Sequence, residues 1–382
     1  MVTRTEPHSR SIPASIMRGG TSRGVVLPLE RVPPEGSQRD AFLISLMGSN
    51  DAGQMDGFGG NTSTTSKVMM VSHEKVGEDV PYLFAQVDPR NPVVDYGGNC
   101  GNMTSAVALY AVMEGLVPAT PPTSEFTLLN LNTGTRIRAH VPSHVNGPEA
   151  KGEYRIAGIS TPGPEIVTEY LEPAGSSGQF PTGRPMGLLT VPGLGEISVS
   201  IVDVSSPLVF VRPEDVGLLG TELPDRIDSD QELLVRLEAI RSAAAVELGL
   251  VHRPEDATRR TPGIPKLAMV TGPTDYQTSL GETVNADDVD VVARIMSVQR
   301  AHHAYAMTGA LCTAAATTLE GALPHSAAPQ RSGSIRIGHP KGVTTVGVRT
   351  RDGETGTEIQ SVAVSRTARC LMRGLIEPLV TV

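Results

Sequence analysis

At 382 residues, with 39% hydrophobic and 19% charged side chains, the chain is too long for one ordinary core and too apolar for disorder, which predicts two globular domains. A net charge of −9, with no cluster of lysine and arginine, argues against nucleic acid or an anionic membrane surface as partners. No apolar run approaches the ~18 residues of a membrane span, and the opening "MVTRTEPHSRSIP" lacks the apolar segment of a secretory signal. A cytoplasmic protein is therefore expected. Its three cysteines lack paired spacing, so reduced thiols are the expectation.

Forty glycines, thirty prolines and no tryptophan describe many turns and small packed side chains. In chain order the strand candidates are "RGVVLPL", "TSKVMMVS", "YLFAQVD", "EFTLLNL", "TRIRAHV", "EISVSIVDV", "LVFVR", "PKLAMVT", "SIRIGHP" and "VTTVGVRT". Each is β-branched or alternating and is closed by turn residues. Helical patterns fall around 39–48, 102–116, 229–249, 286–298, 302–321 and 363–373. The class is strand-rich α+β. "MTSAVALYAVMEG" at 103–115 echoes "MTGALCTAAATTLEG" at 307–321. Small-residue helices of this kind can be approached closely on all sides, so the echo predicts a duplication, with such a helix inside each of two similar sheets. The turn-rich "EPAGSSGQFPTGRPMG" at 172–187 marks the boundary. Residues 1–180 form one predicted domain and 181–365 the other, with a tail of about 366–382 packing back on the first.

Four segments carry chemistry. "MRGGTSRG" sets Arg18 beside glycines and hydroxyls, a composition suited to a carboxylate or to an ordinary surface turn. "NTSTTSKVMMVS" leads Lys67 into an apolar strand. Desolvation there lowers its pKa toward a general base's range, unless the side chain snorkels to solvent. "VDYGGNCGNMTSAV" puts Cys100 at a glycine-cushioned helix start, where free N–H groups favour a thiolate or bind a carboxylate. Cys312 and Cys370 read instead as structural. His302 and His303 open the second echo helix and His339 lies in "GHPKG", either as donors to a carboxylate or as satisfied structural residues. No HExxH, Cys/His pair at ligand spacing, GxGxxG after a strand, GxxxxGK[ST] or GxSxG is present, so neither a metal nor a cofactor is expected.

Taken together, "MRGGTSRGVVL", "DGFGGNTSTTSKV", "VDYGGNCGNMTSAV", "SPLVFVRPEDVGLLGTE", "HHAYAMTGA", "IRIGHPKG" and "VSRTARCLMRG" resemble the PrpF family over nearly the whole chain. The resemblance implies a diaminopimelate epimerase-like fold, in which two similar domains each wrap a curved sheet around a central helix and share a cleft. It implies a cofactor-independent isomerase of unsaturated di- and tricarboxylates, of the 2-methylaconitate cis–trans isomerase type or its methylitaconate and oxalomesaconate relatives. It implies Lys67 and Cys100 as the acid/base pair. Anion binding would fall to Arg18, Gly19, Thr21, Ser22, Thr62, Ser63, Asn99, Gly101, Asn102, His302, His339 and Lys341. Arg23, Asn61, Gly98 and Lys341 depart from the usual family residues at the pocket rim. The expected partners are a small polycarboxylate, a second copy in a homodimer and an aconitase-like dehydratase. A hydratase on the same acids and a non-catalytic carboxylate-binding accessory protein are the rival readings.

Overall fold

The computed structural model describes residues 11–49, 51, 53–328, 333–353 and 356–377. The first half runs β1 (Ile12–Gly19), β2 (Ser22–Pro28), α1 (Ser37–Met47), β3 (Lys67–Val71), β4 (Val80–Val87), β5 (Val94–Asp95), α2 (Gly101–Met113), β6 (Thr123–Asn130), β7 (Arg136–His144), β8 (Gly147–Pro148) and β9 (Ile166–Leu171). The chain continues through β10 (Gly187–Val191), β11 (Gly195–Val204), β12 (Ser206–Val211), α3 (Pro224–Asp228), α4 (Gln231–Glu247), α5 (Pro254–Arg260), β13 (Lys266–Thr271), β14 (Tyr276–Gln277), β15 (Thr283–Val284), β16 (Val291–Ser297) and β17 (Arg300–Ala301). It ends with α6 (Met307–Thr317), α7 (Leu323–Ala327), β18 (Gly333–His339), β19 (Gly342–Gly353), β20 (Gly356–Arg366) and β21 (Ala368–Ile376). All ten strand candidates named above form strands.

The pairing pattern of the first half recurs in the second. β2 runs parallel to β3, β3 antiparallel to β4, and β4 parallel to β6. Likewise β12 runs parallel to β13, β13 antiparallel to β16, and β16 parallel to β18. The echo helices α2 and α6 occupy the same place in the two patterns, one after β5 and the other after β17. Both are apolar around their circumference and are buried nearly throughout, as a helix enclosed by sheet must be. Their side chains share one continuous apolar core. α1 and α4 lie outside, over cores of their own. Two pairings join the ends of the chain to the first half: β20 with β9, and β21 with β1.

Two helix expectations are corrected. Residues 286–298 form a short 3-10 turn and then β16, all seven of whose residues are buried. A strand covered on both faces shows no alternation, so its apolar run reads like a helix. Residues 363–373 form the end of β20 and most of β21, where strand pairing overrides the helical spacing of the arginines. Among the described residues no helix is long and apolar enough to cross a membrane.

Candidate active site

A cavity between the two halves is lined by Ser22, Lys67, Gln86, Asp95, Asn99, Cys100 and Asn102 from the first, and by Ile264, Lys266, Ser297, Val298, His302 and Thr308 from the second, among others. Lys67 is the first residue of β3, so the parallel strand β2 and antiparallel β4 hold its backbone on both sides. Its side chain is 7% exposed. Nζ donates to Oε1 of Gln86 at 2.5 Å and sits 5.3 Å from the centre of the Phe84 ring. Burial lowers the Lys67 pKa, and the charge and hydrogen bond of Cys100 oppose the shift. Lys67 and Cys100 thus face one cavity and couple electrostatically.

Cys100 is the N-cap of α2 and its side chain makes no capping bond, which leaves the sulfur free to face the cavity. Its N–H donates to Asn99 Oδ1 at 2.7 Å. Tyr82 Oη donates to that same oxygen at 3.1 Å, and both Tyr82 and Tyr170 reach Thr104 Oγ1 at 3.2 Å. This buried network fixes the turn that aims the thiol. Burial raises the pKa of both tyrosines, so they remain neutral donors. The unpaired N–H groups at the start of α2 add a positive dipole end to a site that already holds two lysines.

Lys266 is the residue the sequence reading missed. It opens β13 as Lys67 opens β3, and each follows a parallel neighbour, β12 or β2. It is half-buried, with Nζ donating to Gly263 O at 2.9 Å. Burial pushes its pKa down to about 8; Asp95 and Cys100 pull it back up while Lys67 repels it further down. Asp95 bridges the halves, accepting from Gly97 N–H and Gly263 N–H at 2.7 Å each. "PKLAMVT" was legible as a strand, and extending the helix echo to "SKVMMV" would have found this lysine.

The other expected residues divide. Ser22, Asn99, Asn102 and His302 line the cavity, and the buried Ser22 hydroxyl has no protein partner. His302 accepts from Ala304 N–H on Nδ1 at 3.1 Å, which leaves its proton on Nε2. Burial, with Lys67 next, pushes its pKa down to about 3, so it is a neutral donor. Thr62 and Ser63 line an adjoining outer cavity with Arg90, Arg300 and His303. Asn102 is held from behind, by Thr21 at 3.1 Å and by the buried Arg366 at 3.3 Å.

The remainder lie away from the cavity. Arg18 spends Nη1 on Gly20 O (3.2 Å), Thr367 O (2.5 Å) and Thr367 Oγ1 (2.8 Å), tying the β1–β2 turn to the link before β21. Gly19 lets that turn lie on α2, where a Cβ would come within 2.4 Å of Asn102 O; Gly101 lets α2 meet α6, where a Cβ would be 3.0 Å from Met307. His339 is buried against Thr344 at 2.9 Å, and Lys341 packs on Gly158. Cys312 points its thiol at Val202 O, and burial raises its pKa.

A family model described as PrpF protein matches residues 9–378. A 2-methyl-aconitate isomerase of Shewanella oneidensis is 37% identical over 393 residues, covering 98% of this chain and 99% of its own. A solved methylitaconate-delta-isomerase superposes with a TM-score of 0.77 at 35% identity, covering 96% of this chain and 95% of that one. A hydroxyproline epimerase from Agrobacterium vitis, at 11% identity and a TM-score of 0.54, covers 97% and 93%. That last likeness concerns the fold alone, and the epimerase-like pair of helix-centred sheets is the architecture expected from the sequence.

Proposed function

The chain belongs to the PrpF family, and from that premise we propose that it isomerises unsaturated di- and tricarboxylates by moving an allylic proton between Lys67 and Cys100. One observation carries this reading: Lys67 and Cys100, from distant parts of the chain, line one cavity between the two halves, together with a second lysine, Lys266. Lys67 in its amine form takes a proton from the carbon beside the double bond, which conjugation to a carboxylate has made acidic. The electron pair spreads into a dienolate. Its oxygens are stabilised by the Lys266 ammonium, the Nε2–H of His302 and the N–H groups of α2. The former double bond, now of lower order, can rotate. The Cys100 thiol then returns a proton to carbon, and Lys67 passes the one it took to the thiolate, which resets the site. Return to the original carbon after rotation gives the geometric isomer. Return to the other end of the allyl system shifts the double bond.

Because such acids arise by dehydration of hydroxy acids, we also propose a dehydratase of the aconitase kind as the functional partner. Purified protein offered 2-methylaconitate, aconitate, methylitaconate and oxalomesaconate in deuterated water, followed by ultraviolet absorbance and proton NMR, tests the main reading. Isomerisation exchanges a carbon-bound hydrogen and adds no water to the product, whereas a hydratase adds water. An accessory protein binds without turnover and is indifferent to loss of Cys100. Lys67→Ala and Cys100→Ser are expected to lower turnover by about 10²–10⁴-fold, the range for losing a general acid or base, with binding retained. Near-normal turnover in either variant refutes the proton shuttle.

A further inference from the structure

The hairpin between β16 and β17 turns on Val298 and Gln299 alone, since Ser297 pairs with Arg300. Both residues hold positive φ, 51° and 57°. This is the type I′ turn that asparagine and glycine favour and a β-branched side chain resists. Local propensity therefore does not explain valine at this position. Its location does. Val298 is 5% exposed, yet it belongs to none of the apolar cores of the described residues. It is buried against the site instead, in the wall common to the inner and outer cavities. Gln299 secures the turn from the far side. Its Nε2 donates to Pro262 O at 3.5 Å, in the loop that presents Ile264 to the same inner cavity.

Ile264 and Val298 thus put branched carbon on the second half's side of a cavity to which that half also contributes Lys266, Ser297 and His302, and the first half Lys67, Gln86, Asn99 and Cys100. A flank of branched carbon disfavours a hydroxyl, oxo or carboxylate group, which would lose water there without gaining a partner. An alkyl substituent suits it. We infer that Val298 is a specificity-determining residue, whose contact with an alkyl branch selects alkyl-substituted unsaturated polycarboxylates over unsubstituted or oxygenated ones. A backbone conformation of this kind persists where the surroundings over-determine it, as binding walls do. The inference rests on the isomerase reading above.

Two variants test it. Val298→Thr keeps the β-branch and the turn but exchanges one methyl for a hydroxyl. Val298→Asn combined with Gln299→Gly gives the turn its preferred residues. The measurements are kcat/KM for 2-methylaconitate and for aconitate, which differ by one methyl, and the Tm. The wild type is expected to prefer the methylated acid by about tenfold or more, the worth of a methyl in an apolar pocket. Both variants should lose most of that preference, chiefly through slower use of 2-methylaconitate, while the double variant melts higher. A preference ratio that stays within twofold of wild type in both variants overturns the inference whatever the Tm does, and so does a wild type that favours aconitate. A wild type that turns over oxalomesaconate but neither of these acids also overturns the inference, whereas failure on all four acids named above overturns the isomerase reading itself.

Discussion

Replacing Lys266 with methionine removes one positive charge and keeps most of the side-chain volume. A carboxylate about 4 Å from that ammonium interacts with it by roughly 4 kcal/mol at an effective dielectric of about 20. Desolvation of both groups leaves about 2–3 kcal/mol, or a fall in kcat/KM of roughly 30- to 150-fold. A docking charge acts on bound substrate and transition state alike, so the loss should appear mainly in KM. The pH profile supplies a second signature. With the Lys266 pKa held near 8, substrate binding weakens as pH rises through that value, and the variant should lack this alkaline limb. Stability should change in the opposite sense from activity. Charging a lysine whose pKa is lowered from 10.5 to about 8 costs the folded state up to about 3 kcal/mol below pH 8. That penalty fades between pH 8 and 10.5, where the unfolded chain binds more protons. Partial exposure and the lost bond to Gly263 reduce the gain on substitution to about 1–2 kcal/mol, or about 1–3 °C in Tm for a chain of this size. Ultraviolet assays of turnover from pH 6 to 10, paired with calorimetry, read all of these. Unchanged KM with a lower Tm at pH 7 would refute the role given to Lys266.

Arg18→Ala should behave as a structural variant. Loss of its three bonds near Thr367 removes about 2–3 kcal/mol of stability, seen as a Tm lower by about 3 °C, with kcat/KM within a few-fold of wild type; a collapse of KM at unchanged Tm would return Arg18 to the site. Gly97→Ala places a Cβ 2.6 Å from Ile264 Cδ1, so that side chain must turn aside within the cavity; a loss of about 1 kcal/mol and a raised KM are expected in denaturant and steady-state measurements. His302→Asn keeps a neutral donor, whereas His302→Ala removes it and should lower kcat by about 10²-fold or more, the scale of an oxyanion donor; neither should shift the pH profile, since the ring titrates near 3.

Much of the site was readable because its chemistry sits where sequence punctuates structure. Lys67 begins a strand and Cys100 begins a helix, and glycines and hydroxyl residues mark both boundaries. The two enclosed helices announced themselves by lacking any polar face. What escaped depends on contacts no local pattern encodes. Arg18 suited a carboxylate or a surface turn, and its partner is Thr367, 349 residues away in the chain. His339 read as a carboxylate donor or a satisfied structural residue, and its bond to Thr344 within its own hairpin fits the second. Lys266 escapes for a different reason: the repeat stands out in the small residues of the helices, whereas the strand starts that carry the lysines share only a lysine ahead of an apolar run.

The pairing of β21 with β1 bears on how the chain is made. During synthesis β1 emerges from the ribosome long before its lateral partner, Ala368–Ile376. Throughout translation that edge of β1 offers unpaired amides and carbonyls, an invitation to misassociate that a nascent polypeptide must survive. The cleft matures late as well, since Arg366, which braces Asn102, directly precedes β21. A chain that stopped before Arg366 would therefore lack this brace and the β1–β21 pairing while already holding Lys67, Cys100 and Lys266.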